Sequence, residues 1–279
     1  MADLYPLAGR KRHPSDLVVP VGGLRLGGPG GLVVIAGPCA VEGEAAFLRT
    51  ARALKAAGAH LLRGGAFKPR TSPYSYQGLG RAGLRILAAA RRETGLPVVS
   101  EVLDPREVDA VARVADVLQV GARNMQNYPL LRELGRAGKP VLLKRGLSAT
   151  MEEWLLSAEH VLASGNGQVI LCERGQRLIG EPERCGLDAG AIPLARRLCR
   201  LPVFVDPSHA ARSRDLVAPL ARAAAAAGAQ GLMIEVHERP SAALSDGRQA
   251  LSLLQFRGLM AELSRLMAAL GTGLAQPQI

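Results

Sequence analysis

Short, nearly continuous apolar runs recur eight times along the chain, at residues 33–38, 60–63, 97–101, 117–120, 140–144, 168–172, 202–206 and 231–236. Runs of this length, rich in Val, Ile and Leu and without polar alternation, read as parallel strands buried on both faces. Amphipathic Ala/Leu/Arg-rich stretches lie between them, and residues 44–57, 79–93, 106–114, 151–162, 213–227 and 252–270 are predicted helices. Gly58, Gly95 with Pro97, and Gly228 supply helix stops. Eight β-then-α units in about 250 residues have the length of an α/β fold of the (β/α)8 TIM-barrel type. The rival, an open doubly wound sheet, usually follows its first strand with a glycine-rich phosphate turn. Here that strand runs into Gly37-Pro38-Cys39.

The barrel is expected over residues 32–270. Before it, residues 17–20 and 24–26 flank Gly22-Gly23 and read as a short N-terminal β-hairpin capping the barrel floor. Residues 27–31 form a glycine-rich connector with no Gly-Lys-Ser/Thr after it, hence a turn. The extension and hairpin thus take residues 1–31, and residues 271–279 read as a disordered tail. His60 opens a strand at the floor and is assigned a structural part, while His13 and His160 read as surface residues.

With only 3% aromatic residues, the core must be built from Ala, Leu and Val. The net charge of +11 points to anionic partners. Nucleic acid is not the expected one, because the charges form no basic tail and aromatic side chains for base stacking are scarce. No run approaches the roughly 20 apolar residues of a membrane span. Residues 1–13 contain no signal-peptide apolar segment, which predicts a cytoplasmic protein. Cys39, Cys172, Cys185 and Cys199 form no CxxC pair and read as thiols, the last three as packing residues.

A barrel places chemistry at the C-terminal ends of its strands. Every one of the eight ends carries a polar or ionisable group: Cys39; Arg63 and Lys68; Glu101; Arg123; Lys144 and Arg145; Glu173 and Arg174; Asp206 and His209; Glu235, with Asp246 beyond it. The first, seventh and eighth strands are neighbours in a closed barrel, so Cys39, His209, Glu235 and Asp246 can converge. Thiolate, imidazole and carboxylate together suit a divalent transition metal such as Mn, Fe, Co or Zn. A lone buried cysteine has the simpler reading of a small hydrophobe; the set of four carries the metal reading. Arg63, Lys68, Arg123, Lys144 and Arg174 would repel one another unless an anion sat among them. A ligand with both phosphate and carboxylate, such as phosphoenolpyruvate, would use that many. Arg70, Thr71 and Ser72 offer a second phosphate site, and Arg145 could instead form a structural ion pair with Glu173.

The motifs Ala36-Gly37-Pro38-Cys39, the run from Arg63-Gly64-Gly65 through Lys68-Pro69-Arg70-Thr71-Ser72, Gly121-Ala122-Arg123-Asn124, Leu143-Lys144-Arg145-Gly146, Cys172-Glu173-Arg174-Gly175, Asp206-Pro207-Ser208-His209 and Leu244-Ser245-Asp246-Gly247 are together specific. Over about residues 5–270 the chain resembles the type I-beta 3-deoxy-D-arabino-heptulosonate 7-phosphate (DAHP) synthases, which group with the 3-deoxy-D-manno-octulosonate 8-phosphate synthases. The resemblance implies that Cys39, His209, Glu235 and Asp246 hold one divalent metal ion. It implies that Arg63, Lys68, Ala122, Arg123, Lys144 and Arg174 hold phosphoenolpyruvate, and that Arg70, Thr71 and Ser72 hold erythrose 4-phosphate. Lys68, Glu101 and His209 become the catalytic candidates, Lys68 as the acid beside the aldehyde oxygen and Glu101 as the group that positions water. Lys-Pro-Arg-Thr-Ser marks the heptulosonate branch, where octulosonate synthases carry Lys-Ala-Asn-Arg-Ser. The family also implies a homotetramer or homodimer and a place at the first step of the shikimate pathway. After Arg174-Gly175 the family's usual Ile-Arg-Thr-Phe-Glu is replaced by Gln176-Arg177-Leu178-Ile179-Gly180, so aldose affinity or subunit contacts are where this chain is expected to differ. Three alternatives stay open: an octulosonate synthase using arabinose 5-phosphate, a specialised-metabolism paralogue with another aldose, and a basic nucleic-acid-binding protein that has lost catalysis.

Overall fold

The computed structural model describes residues 4–178 and 181–277, with residues 181–185 given by their backbone alone. Eight parallel strands close into a barrel: β1 (Val33–Gly37), β2 (Leu61–Arg63), β3 (Val98–Glu101), β4 (Val117–Val120), β5 (Val141–Lys144), β6 (Val169–Glu173), β7 (Val203–Val205) and β8 (Gly231–Glu235). The seam is shut where β8 pairs with β1, Gly231 opposite Val33 and Glu235 opposite Gly37. All of these strand residues are buried, as the unbroken apolar runs predict.

Helices cover the outside: α1 (Glu44–Ala56), α2 (Arg81–Thr94), α3 (Val108–Ala112), α4 (Tyr128–Arg136), α5 (Met151–Ala163), α6 (Ala191–Leu198), α7 (Pro207–Ala211), α8 (Arg214–Ala226) and α9 (Leu253–Ala269). Capping boxes start α5 and α9: Thr150 with Glu153, and Ser252 with Gln255. At the far end of α2, Gly95 takes the left-handed conformation. The sequence reading named no helix for α4 and α6. Each carries a proline in its first turn, Pro129 and Pro193, which interrupts the pattern but is harmless where the backbone N–H has no helical partner.

The apolar residues divide into two clusters. One lies between strands and helices, with Trp154, Phe256 and Leu54 among its fully buried members. The other fills the barrel: Val33, Ile35, Leu61, Val99, Val117, Leu142, Ile170, Phe204 and Met233. Gly231 is part of the second design, since a Cβ there would stand 2.3 Å from the Phe204 ring. The antiparallel hairpin Val19–Val21 and Leu24–Leu26 sends Val19, Val21, Leu24 and Leu26 into that interior and plugs its lower end, as the sequence indicated. Its turn holds Gly22 and Gly23 at φ of 54° and 79°, the two positive values of a type I′ turn.

The disordered tail expected from residue 271 is corrected. Leu32 N–H donates to Gly273 O at 2.9 Å and Ala275 N–H donates to Leu32 O at 3.0 Å. Ala275 is buried in the barrel cluster, and His60 Nε2 lies 2.8 Å from its carbonyl. The segment is polar and glycine-bearing in sequence, and backbone pairing across the floor orders it. Ile179 and Gly180 of the altered stretch, and Gln278 and Ile279 of the tail, lie outside the described residues.

Candidate active site and metal centre

Cys39 reaches the mouth of the barrel just past the end of β1, where the backbone at Gly37 runs tightly against that of Arg63 at the end of its parallel neighbour β2. A Cβ on Gly37, at φ 150°, would meet the Arg63 carbonyl oxygen at 2.1 Å, so only glycine permits this close approach. Cys39, His209, Glu235 and Asp246 each offer one ligand atom, and these atoms all lie within 4.8 Å of one another. The sequence reading thus brought together four residues spread over some two hundred positions.

Two of the donors, Glu235 and His209, are held from behind. The backbone N–H of Glu235 donates to Ser208 Oγ at 2.9 Å. Asp206 caps α7, its Oδ1 accepting from the His209 N–H at 3.0 Å. The ring Nδ1 of His209 lies 2.7 Å from Asp206 Oδ2, which turns Nε2 toward Glu235 Oε1 at 3.5 Å. A carboxylate behind a ligating histidine fixes its tautomer and orientation. Asp246 adopts φ 55°, a left-handed conformation that non-glycine residues rarely keep unless their surroundings impose it.

The donor set fits a cation. Glu235 Oε2 is buried with no hydrogen-bond partner, an arrangement that is costly without a positive group to face it. Burial, then Glu235, pushes the Cys39 thiol up, against the opposing pull of Lys68 and Arg63. A coordinated metal would reverse that and stabilise the thiolate. Burial also works to raise the Asp246 carboxyl, but His209, a hydrogen bond with Cys39, and the cations Lys68 and Arg70 hold it well below the usual carboxylate range.

The cations occupy the same mouth in a different manner from the one the sequence suggested. Arg63 is buried and donates through Nη1 to Glu235 Oε1 at 3.0 Å, with Nη2 at 3.6 Å from Cys39 Sγ. Lys68 donates to Cys39 Sγ at 2.8 Å and to the Cys39 carbonyl at 3.3 Å. Lys144 pairs with Asp206 in the interior. Mutual repulsion is therefore relieved in part by carboxylates within the mouth. Asp206 is the residue that sequence reasoning left without a role. It joins Lys144 to His209, and its carboxyl, which burial alone would raise, is held well below the ordinary range by those two groups. The signal was present as Asp-x-x-His at a helix start.

Arg174 follows β6 and donates through Nη2 to the His209 carbonyl at 3.4 Å. Arg123 and Ala122 lie in the short helical turn after β4; Arg123 is exposed and donates to the Pro69 carbonyl at 3.2 Å. Arg70, Thr71 and Ser72 stand on the rim in the loop after β2, Thr71 exposed and Ser72 accepting from Tyr74 N–H at 3.3 Å. Glu101 ends β3, buried, with its charge felt at Arg63 and Lys68. Its carboxylate fits against Gly121, where a Cβ would meet Oε1 at 2.1 Å. Arg145 takes the structural alternative, pairing with Glu173 at 2.9 Å and Asp188 at 3.1 Å and lying over the Trp154 ring.

A closed (β/α)8 barrel with a thiol–imidazole–carboxylate quartet and a buried arc of Arg and Lys at one mouth defines the class: a metal-site TIM-barrel enzyme for small anionic substrates. The profile of the DAHP synthetase I family matches residues 16–269, and the chain belongs to that family. The chain is similar to phospho-2-dehydro-3-deoxyheptonate aldolase of Thermotoga maritima, with 49% identity over 267 residues that cover 96% of this chain and 79% of the relative. The crystal structure of the Thermotoga maritima phospho-2-dehydro-3-deoxyheptonate aldolase (DAHP synthase) superposes with a TM-score of 0.95 at 48% identity, covering 98% of this chain and 80% of that one. A 2-dehydro-3-deoxyphosphooctonate aldolase of Syntrophotalea carbinolica is 35% identical over 266 residues, 89% of this chain and 95% of the relative.

Proposed function

We propose that the protein condenses phosphoenolpyruvate with D-erythrose 4-phosphate and water to give DAHP and inorganic phosphate, the step that opens the shikimate pathway to aromatic amino acids. The observation that carries this reading is the buried, partnerless Glu235 Oε2 in a quartet that the cations Arg63 and Lys68 directly adjoin. Arg63, Lys68, Ala122, Arg123, Lys144 and Arg174 bind phosphoenolpyruvate. Arg70, Thr71 and Ser72, on the rim, bind the phosphate of the aldose. A divalent ion (Mn, Fe, Co or Zn) held by Cys39, His209, Glu235 and Asp246 would supply Lewis acidity toward the aldehyde oxygen.

Bond formation joins carbon 3 of phosphoenolpyruvate to the aldehyde carbon. Lys68, beside Cys39, delivers a proton to the aldehyde oxygen as it becomes a hydroxyl. Glu101 orients the water that adds at carbon 2; the water gives up one proton to solvent, from which Lys68 is reprotonated, and the second goes to the departing phosphate as the C–O bond breaks and the hydroxyl becomes the ketone. His209 is held in one tautomer by Asp206 throughout. Erythrose 4-phosphate is preferred over arabinose 5-phosphate on the strength of Lys68-Pro69-Arg70-Thr71-Ser72 and of the higher identity to the heptonate aldolase than to the octonate aldolase.

Phosphate release is the test, run with each aldose, with and without chelator. Turnover with erythrose 4-phosphate that chelation abolishes and a divalent ion restores is the expected result. Equal turnover with arabinose 5-phosphate, or full activity of metal-free Cys39→Ala, overturns the assignment. The same reading takes the protein to be cytoplasmic and a homotetramer or homodimer; light scattering measures the oligomeric state. Among the described residues no helix is long and apolar enough to cross a membrane.

A further inference from the structure

Asp246 differs from the other three members of the quartet in its support. Glu235 ends a barrel strand, Cys39 lies two residues beyond another, and His209 sits on a short helix capped by Asp206. Asp246 lies in the long connection between β8 and α9 and carries the left-handed φ of 55°. Something other than regular secondary structure must hold it within reach of the other donors.

Two side chains outside the quartet bracket it. On one side, Glu42 of the β1–α1 loop accepts the Leu244 N–H at 2.8 Å through Oε1. Its Oε2 lies 3.3 Å from His237 Nε2, at the root of the same connection. His237 Nδ1 accepts the Arg239 N–H at 3.0 Å, which leaves the ring proton on Nε2 to be donated to Glu42. On the other side, Arg214 at the start of α8 donates to the Gly247 carbonyl at 2.8 Å and to the Ala250 carbonyl at 2.6 Å. Backbone atoms two residues before Asp246 and one residue after it are therefore fixed by groups from two different elements. Glu42 lies three residues past Cys39, so the loop that bears the thiol also grips the loop that bears the carboxylate.

We infer that Glu42 and Arg214 are positioning residues that set the metal affinity of the quartet by fixing Asp246. This rests on the metal reading above and extends it to residues that touch neither ion nor substrate. Groups behind metal ligands typically contribute about 10–100-fold in affinity.

The test titrates metal-free protein with Co2+ and follows thiolate-to-metal charge-transfer absorption at Cys39. Glu42→Ala and Arg214→Met are each expected to weaken Co2+ binding at least about tenfold while the absorption band persists at saturation. Glu42→Gln should lose less than Glu42→Ala, because its amide oxygen still accepts the Leu244 N–H. On an Asp246→Ala background neither substitution should weaken binding further, since both act through that carboxylate. Wild-type Co2+ affinity in Glu42→Ala and Arg214→Met, with Asp246→Ala impaired, overturns the inference and leaves the metal site standing. So does an undiminished loss on the Asp246→Ala background. Wild-type Co2+ affinity in both Asp246→Ala and Cys39→Ala, measured by equilibrium dialysis because the second variant has no thiolate band, overturns the metal site itself and the inference with it. If Glu42→Ala fails to fold, Arg214→Met and Glu42→Gln carry the same comparison.

Discussion

The two ends of this barrel are built on opposite principles. At the floor, apolar side chains of the hairpin fill the opening, backbone pairs with backbone, and His60 uses both ring nitrogens. At the mouth, Arg63, Lys68, Lys144, Glu101, Asp206 and Glu235 are buried together. One carboxylate oxygen there lacks a partner, and one aspartate is held in a left-handed conformation. Burying charge is expensive unless it is paired. The floor carries stability, and the mouth retains costly features that make sense only with ligands present. Substitutions at the two ends should consequently separate activity from stability.

The largest effect belongs to the mouth. Lys68→Met is expected to lower kcat about 10²–10⁴-fold, the range for removing a general acid, with little change in melting temperature. A loss confined to KM would move Lys68 from proton delivery to simple binding. Next comes the barrel interior, where Phe204→Ala should cost about 3–5 kcal/mol of folding stability while the folded fraction keeps its kcat. Equal losses in both quantities would erase the division between the two ends. Gly121→Ala is a finer probe. Its methyl would displace the Glu101 carboxylate, a movable side-chain end, so denaturation should be nearly unchanged while kcat falls about 10²-fold. Wild-type turnover in this variant would remove Glu101 from the reaction.

The smallest effect is a pH dependence at the floor. His60 Nδ1 accepts the Val34 N–H at 2.9 Å, so its ring is neutral with the proton on Nε2. Burial lowers its proton affinity below the ordinary 6.5, against the raising effect of the Ala275 carbonyl beside Nε2. The unfolded chain thus binds a proton that the folded chain refuses. The stabilising contribution is complete above about pH 6.5 and diminishes as pH falls from there. Melting curves of the wild type and His60→Gln between pH 7.5 and 5, a range of roughly 2.5 units around the histidine value, should converge on the acid side. A pH-independent gap would show that His60 serves only as a spacer.

The strands were legible in sequence because burial on both faces leaves an unbroken apolar run, and that pattern needs no knowledge of partners. Cys39, His209 and Glu235 were legible because barrel closure makes the first, seventh and eighth strand ends neighbours; Asp246, in the long connection after β8, was reached through the motif Leu244-Ser245-Asp246-Gly247. Pairings inside the mouth were hidden for the opposite reason. Arg63 with Glu235 and Lys144 with Asp206 are contacts across 172 and 62 residues, and no local periodicity encodes which cation meets which anion. The ordered tail escaped notice similarly: residues 272–275 have no helical or strand pattern and owe their order to Leu32 and His60. Helices α4 and α6 were obscured by prolines whose penalty vanishes in a first turn.

The close approach of Gly231 to Phe204 has a bearing on how this barrel can change over time. With the ring in place, any side chain at 231 collides with it at 2.3 Å. With a small residue at 204, the same side chain would fill the space that the ring has vacated. The two positions, on adjacent strands, thus behave as a single site with two admissible states, and each single substitution is a step downhill that the second can recover. A lineage could cross between those states only through a weakened intermediate, and a mutational library that varies one position at a time would record both as invariant.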